Sequence, residues 1–395
     1  MVNMGSSEKT PPLANIPDDI IHSCILPRLP VKSLLRFKCV SKSWQTLISS
    51  PDFIRLHNHH AHSSDRNRFI ISTYQSSTYF HILNLDSPLD RPPILHYPKT
   101  ETLNSDVLAT IVASCEFFLL ILVKPFRGSY KLFLTNPSTR SYHEIPCQKL
   151  AISLIFVKFG LYHDKANDDY KVIRIISVSD NEDNPSGCTW ETMIYSFKTN
   201  SWRLVERKLK PSRFYNVLNL NAYVVNNLLH ILLTTINHGN ENVRIGCFDI
   251  QAEQWTNDIP LPDYNLYNYR LRVLDGSLCV LGNEGFRTGA YSVWVMKDGW
   301  VKLMSMDIKY AFYEYYPITY RTGSRHELLC KRCGYYELYW YNLQDKVDTY
   351  AASNKSADAE SGYRLEHVCR GSLVTFANKL QLPKQDDIVG PRIFI

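Results

Sequence analysis

The sequence predicts a multidomain chain: a small all-α segment near the N-terminus followed by a much larger all-β propeller, with six blades as the expected number. Three observations carry this reading. Apolar residues follow a helical period from Asn15 to about Ser50 and switch to a period of two after His62. The 395 residues include 25 Tyr and 17 Phe against 16 Gly, a composition that favours strands. An apolar strand, a polar turn and a second strand, often opened by an aromatic, recur around Phe133, Tyr195, Phe248, Trp294 and Trp340, spaced 46 to 62 residues apart. Periods of that order with four strands each are the mark of propeller blades.

Residues 1–14 are polar and rich in Ser and Pro, and the expectation is disorder. A first helix is expected from about Pro17 to Leu26, because Pro17 and the pair Asp18 and Asp19 suit a first turn. Ile20, Ile21, Cys24 and Ile25 give it one apolar stripe before Pro27 and Pro30 break it. The helical period resumes through Leu34, Leu35, Phe37, Val40, Trp44, Leu47 and Ile48 and is expected to stop at Pro51. Two or three short helices in so few residues bury little surface, so part of the stripe must dock elsewhere.

The domain bounds read as helices over 15–55, a connector over 56–65, a propeller over 66–377 and a tail over 378–395. Five four-strand units can be counted between about Asp106 and Ala352. Strands left over at the front, such as "RFIISTY" and "YFHILNLD", and at the back, "GYRLEHVC" and "GSLVTF", predict a sixth blade closed by both chain ends. Such closure covers edge strands that otherwise invite pairing with other chains. The pattern leaves room for a seventh.

The formal charge of +6 is spread among both signs, which gives no footprint for nucleic acid. Ten scattered cysteines, several inside apolar runs, read as reduced core residues, and no secretory leader is expected, so the chain is placed in the cytosol or nucleus. The most apolar run, Ile111 to Val123, is 13 residues long and contains Glu116, too short for the roughly 20 residues of a membrane span.

The segment from Ile16 to Ile54, "IPDDIIHSCILPRLPVKSLLRFKCVSKSWQTLISSPDFI", resembles the plant type of F-box, with its LPVKSLLRFKCVSKSW run. Later motifs, "NPSTRSYHEIP", "FGLYHDKANDDYKVIRI", "YSFKTNSWR", "CFDIQAEQWTNDIPLP" and "LDGSLCVL", resemble in order the F-box-associated, kelch-like region of the same family, which includes the S-locus F-box proteins of pollen self-incompatibility. Departures are Asn15 and Ile16 at the start of helix one, His22 and Ser23 within it, and a shortened "VWVMKDGWVKL". The resemblance implies a substrate receptor whose helices dock on a Skp-type adaptor, and through it on cullin and RING subunits of a ubiquitin ligase. The adaptor contacts it implies are Ile16, Pro17, Ile20, Leu29, Pro30, Leu34, Leu35, Val40, Trp44 and Leu47. Helix-in-groove recognition by a few apolar anchors suits such a stripe.

Substrate contacts are expected on polar inter-strand segments: Asp164, Asp168 and Asp169; Asp180, Glu182 and Asp183; Asn237 and His238; Asn283 and Glu284. No cofactor, catalytic residue or metal is expected. "HNHHAH" (His57, His59, His60, His62) reads as a solvated loop in the connector, and "CKRC" (Cys330, Cys333) lacks a second ligand pair. "DKANDD" lacks the Gly and Glu of a calcium loop. No Gly-rich phosphate loop, G-x-S-x-G or H-E-x-x-H is present. Trp202, Trp255 and Trp300 occupy equivalent places and read as packing between blades rather than sugar platforms. The rival reading is a propeller that binds a small ligand or glycan, and polar and aromatic side chains converging in the central channel would favour it.

Overall fold

The computed structural model describes residues 16–63, 68–73, 79–84, 94–96, 107–125, 129–147, 157–179, 188–209, 222–237, 240–262, 266–284, 290–307, 315–332, 337–353 and 366–376. The expected tails over 1–14 and 378–395 lie outside them.

The first helical stretch changes pitch as it goes. It begins as α1 (Asp18–Ile20), widens to a π turn over Ile21–Ile25 and tightens to a 3-10 turn over Leu26–Arg28. Pro30 then leads into α2 (Val31–Phe37), and α3 (Lys42–Ser49) is capped by Ser41, whose hydroxyl accepts the Trp44 N–H at 3.2 Å. The helical run stops before Pro51 as expected, with Ser50 extended, but a fourth helix that was not expected, α4 (Pro51–Ser63), starts there. Proline at a first helical position loses no bond, and the Ser50 hydroxyl accepts from the Phe53 N–H at 3.2 Å. The four histidines therefore lie on a helix and not in a loop. His57 is buried, with Nε2 3.2 Å from the Leu29 carbonyl, so most of the expected connector belongs to the helical packing.

A β-propeller follows. Its strands are β1 (Arg68–Thr73), β2 (Tyr79–Asn84), β3 (Ile94–His96), β4 (Val107–Cys115), β5 (Phe118–Pro125), β6 (Lys131–Asn136), β7 (Ser141–Ile145), β8 (Val157–Asp164), β9 (Asp169–Ser179), β10 (Cys188–Ser196), β11 (Ser201–Leu209), β12 (Tyr223–Val225), β13 (Leu228–Asn237), β14 (Asn240–Asp249), β15 (Gln254–Trp255), β16 (Ile259–Pro260), β17 (Leu266–Leu274), β18 (Ser277–Glu284), β19 (Ala290–Met296), β20 (Trp300–Asp307), β21 (Tyr315–Tyr320), β22 (Glu327–Arg332), β23 (Glu337–Asn342), β24 (Val347–Ser353) and β25 (Glu366–Arg370). Five antiparallel sheets are each built from one continuous run: β4–β7, β8–β11, β12–β16, β17–β20 and β21–β24, here the first to fifth blades. A composite sheet joins the two ends of the fold in the order β25, β1, β2, β3. The innermost strands touch in the cyclic order β4, β8, β12, β17, β21, β25 and back to β4.

Local chemistry explains the regular hairpins. Asn226–Asn227 and Asp275–Gly276 have positive φ at both turn positions, the two-residue turn that matches strand twist. Between third and fourth strands, the side-chain oxygens of Asn136, Asp249 and Asn342 accept backbone N–H groups two or three residues on. Four residues after each, and again at Asn200, the chain turns left-handed: φ is 55° at Arg140, 52° at Asn200, 55° at Glu253 and 57° at Lys346. Trp202 and Trp300 donate Nε1–H to the carbonyls of Pro146 (2.6 Å) and Pro260 (2.9 Å), each on the preceding blade. Trp255 packs its ring 5.7 Å from Trp190 of the second blade. These rings are engaged in the seams between blades.

The two faces of the propeller differ. Glu116, in the first turn of the first blade, accepts on its carbonyl the N–H of Arg370 at 3.1 Å, and the Arg370 guanidinium donates to the Ala61 carbonyl of α4 at 3.1 Å. The first and third turns of a blade lie at one end of its antiparallel strands. That end is thus the face carrying the helices, and second-to-third strand connections lie on the far face.

Candidate functional site

The helical region has a core of its own, made of Leu26, Val31, Leu34, Ile48, Phe53 and Ile54, completed by Leu373 from the far end of the chain. Leu34 is the correction among the expected adaptor contacts. It is 0% exposed at the centre of this core, where no partner can reach it. Leu29, Leu35, Trp44 and Leu47 are half-buried against the same cluster, and Phe37 meets Trp44 edge-on at 5.4 Å. The remaining expected contacts face outward. Ile16 is 54%, Ile20 46% and Val40 65% exposed, and Pro17 and Pro30 are exposed with them. Ile25 and the thiols of Cys24 and Cys39 are exposed too, and Ile25 and Cys24 belong to the stripe of the first helix. Large aliphatic side chains exposed together on a small region mark an interaction surface.

One short segment fastens this region to the propeller. Asn136 donates Nδ2–H to the carbonyls of Ser372 (3.2 Å) and Val374 (2.8 Å), and the Ser372 hydroxyl bonds Asn58 Oδ1 of α4 at 2.8 Å. Leu373 enters the helical core, whereas Phe376 enters the propeller core 5.3 Å from the rings of both Phe118 and Phe197.

The expected substrate residues do not share one face. Asp164, Asp168 and Asp169 border a tight first turn of the second blade, on the side of the helices. Asp164 accepts from Lys171 Nζ (2.6 Å) and Asn167. Burial alone would raise its carboxyl, but these bonds outweigh burial and hold it at about 2. Asp169 is buried and accepts from the Ser196 hydroxyl (2.6 Å) and the Lys198 N–H (2.9 Å), so it closes the hairpin and offers nothing to a partner. Asn237, Asn283 and Glu284 lie at the far-face ends of their strands, and Glu284 is engaged by Ser292 and Lys302. Asp180, Glu182, Asp183 and His238 fall outside the described residues. Tyr223, Arg270, Arg272 and Tyr316 were not expected. They converge from three adjacent innermost strands, a register across blades that no local pattern announces.

Cys330 is buried, and burial pushes its thiol far above the ordinary range; Cys333 lies outside the described residues. Among the described residues, no three His, Cys, Asp or Glu gather as metal ligands. None of the described helices is long and apolar enough to cross a membrane.

At the seam of the first two blades, Glu116 Oε2 accepts from Tyr170 at 3.0 Å and lies 3.5 Å from His163 Nδ1, whose Nε2 meets Asp168 at 3.3 Å. The hydrogen bond to Glu116, followed by partial burial acting against it, leaves the His163 pKa above its ordinary 6.5. A raised folded value means stability fully present below pH 6.5 and lost as pH climbs through the folded pKa. His57, His143 and His230 are lowered by burial and act in the opposite sense. His163→Gln is therefore expected to lower the melting temperature at pH 6 and to converge on the wild type by pH 8. A deficit unchanged across that range would sink the assignment.

The comparisons with known proteins agree with this architecture. The F-box domain family matches residues 13–56, and the F-box associated beta propeller domain family matches residues 69–324. The chain is similar to F-box protein CPR1 of Arabidopsis thaliana, 27% identical over 399 residues and covering 91% of each chain. It is also similar to F-box only protein 8 of Arabidopsis thaliana, 30% identical over 252 residues, covering 61% of this chain and 78% of that one.

Proposed function

Since the chain belongs to the family of F-box proteins with an F-box associated β-propeller domain, we propose that it is a non-catalytic substrate receptor of a Skp, cullin and F-box ubiquitin ligase in the cytosol or nucleus. One observation carries the reading. Within the helical region Leu34 and its neighbours are taken up by an internal core, while Ile16, Ile20, Ile25 and Val40 remain exposed as anchors for an adaptor. In the same reading the composite sheet serves as a sixth blade, supported by the closed cycle of contacts among innermost strands. A target held on the propeller then meets the charged ubiquitin carrier by proximity, which needs no active site in this chain.

The test is capture of a Skp-type adaptor by the full chain and by an Ile20→Asp, Val40→Asp variant. Two anchors at about 2 kcal/mol each correspond to roughly a thousandfold loss of affinity. Both positions are exposed, so the melting temperature is expected to stay put. Bound adaptor is also expected to slow alkylation of Cys24 and Cys39, both exposed thiols. Equal capture by the two proteins, or none by the wild type, overturns the reading.

A further inference from the structure

We propose that the adaptor docking on the exposed apolar anchors of the helical region meets it with an acidic surface, drawn in by a stretch of cations that contains no carboxylate. The inference rests on the receptor reading and names the chemistry of the adaptor's docking face. The 32 residues from Ile20 to Pro51 include no Asp or Glu, and Arg28, Lys32, Arg36, Lys38 and Lys42 fall within 15 of them. At the density of the whole chain, 38 Asp and Glu in 395 residues, about three carboxylates would stand in a stretch of that length. None of the five cations forms an ion pair among the described residues, whereas Arg55 of α4 is engaged by Asp52.

Helix stability does not account for these charges. Lys32 is the second residue of α2 and Lys42 the first of α3, and neither helix has an acidic residue in its first turn. A cation at a helix N-terminus opposes the dipole, where the aspartates of α1 complement it. Lys32 and Arg36, one turn apart, are exposed on the side of α2 away from buried Val31 and Leu34. Arg28 and Lys42 are exposed beside them in the chain. Lys38 and Lys42 bracket Val40, at 65% the most exposed large apolar side chain among the described residues. Lys38 itself is half-buried at the end of α2, and burial holds its ammonium below the ordinary value with no carboxylate to oppose the shift. An acidic partner seated on Val40 supplies the missing counter-charges. Exposed charges of this kind act on encounter, whereas a charge pair closed off from water acts on dissociation.

The test measures association and dissociation rates of the full chain with a Skp-type adaptor at about 0.05, 0.15 and 0.5 M salt, a range over which screening shortens severalfold in reach. Wild-type association is expected to slow about tenfold across it. The Lys32→Gln, Arg36→Gln variant should associate severalfold more slowly at the lowest salt, with a flatter salt dependence and dissociation within about twofold of wild type. Arg28→Gln, Lys42→Gln lies outside α2 and carries the test if the first variant does not fold, as its melting temperature will tell. Lys38→Met keeps the apolar stem and should speed dissociation severalfold. Ile20→Ala makes the contrast: faster dissociation with the salt dependence unchanged. Association that ignores salt, or that neither charge variant slows, overturns the proposal. Capture by phosphatidylserine vesicles that the charge variants lose, with adaptor rates unmoved, overturns the acidic-protein assignment in favour of a lipid surface. No adaptor bound by the wild type at any salt is the failure of the receptor reading and takes this proposal with it, whereas salt-insensitive binding defeats the proposal alone.

Discussion

Truncating Leu34 to alanine melts the helical region and leaves the propeller standing. Leu34 is 0% exposed in a core of only seven buried residues. Removing a fully buried leucine costs about 2 to 5 kcal/mol, and a region this small has little stability to lose. The expected readout is loss of helical circular dichroism at a temperature where strand signal persists, with adaptor capture lost as a consequence. Ile20→Asp makes the contrast, because that side chain is 46% exposed and its loss of capture is expected with helices intact. Full helicity of Leu34→Ala together with lost capture would show that Leu34 touches the adaptor after all. Helicity and capture both retained would show that the core tolerates the cavity.

The difference between Leu34 and Ile20 also marks where reading the sequence ends. Periodicity identified the stripe, and the strand, turn and aromatic repeat identified the propeller, because both are set by residues near one another in the chain. Which members of the stripe are covered depends on how the helices close on one another and on Leu373, which joins their core from the far end of the chain and which no local pattern connects to Leu34. The helix beginning at Pro51 was missed for a related reason: proline ends one helix but also suits the first turn of the next, and the Ser50 cap is what starts α4. The acidic residues of the second blade looked like a binding loop by composition. In the fold, Asp164 and Asp169 are consumed by bonds to Lys171, Ser196 and Lys198, so polarity there served the turn. The contacts of Arg270 and Arg272 with Tyr223 and Tyr316 went unnoticed because they arise only where β12, β17 and β21 meet.

Leu373 and Phe376, three residues apart, are expected to destabilise different parts of the molecule when replaced by alanine. Leu373 is 1% exposed in the helical core, and Phe376 is 2% exposed among Phe118, Phe197 and His143 of the propeller. Costs of about 2 to 5 kcal/mol for Leu373→Ala and about 3 to 5 kcal/mol for Phe376→Ala follow from their burial. Urea unfolding followed at once by helical signal and by tryptophan fluorescence separates them, since all the tryptophans but Trp44 lie beyond the helices. Leu373→Ala should advance the helical transition, and Phe376→Ala the fluorescence transition. Asn136→Ala should advance both, because its amide holds the segment between them through the Ser372 and Val374 carbonyls, and leaving such buried acceptors unpaired costs about 1 to 3 kcal/mol. If all three variants unfold in a single coincident transition, helices and propeller form one cooperative unit. The segment would then join two faces of one folded body.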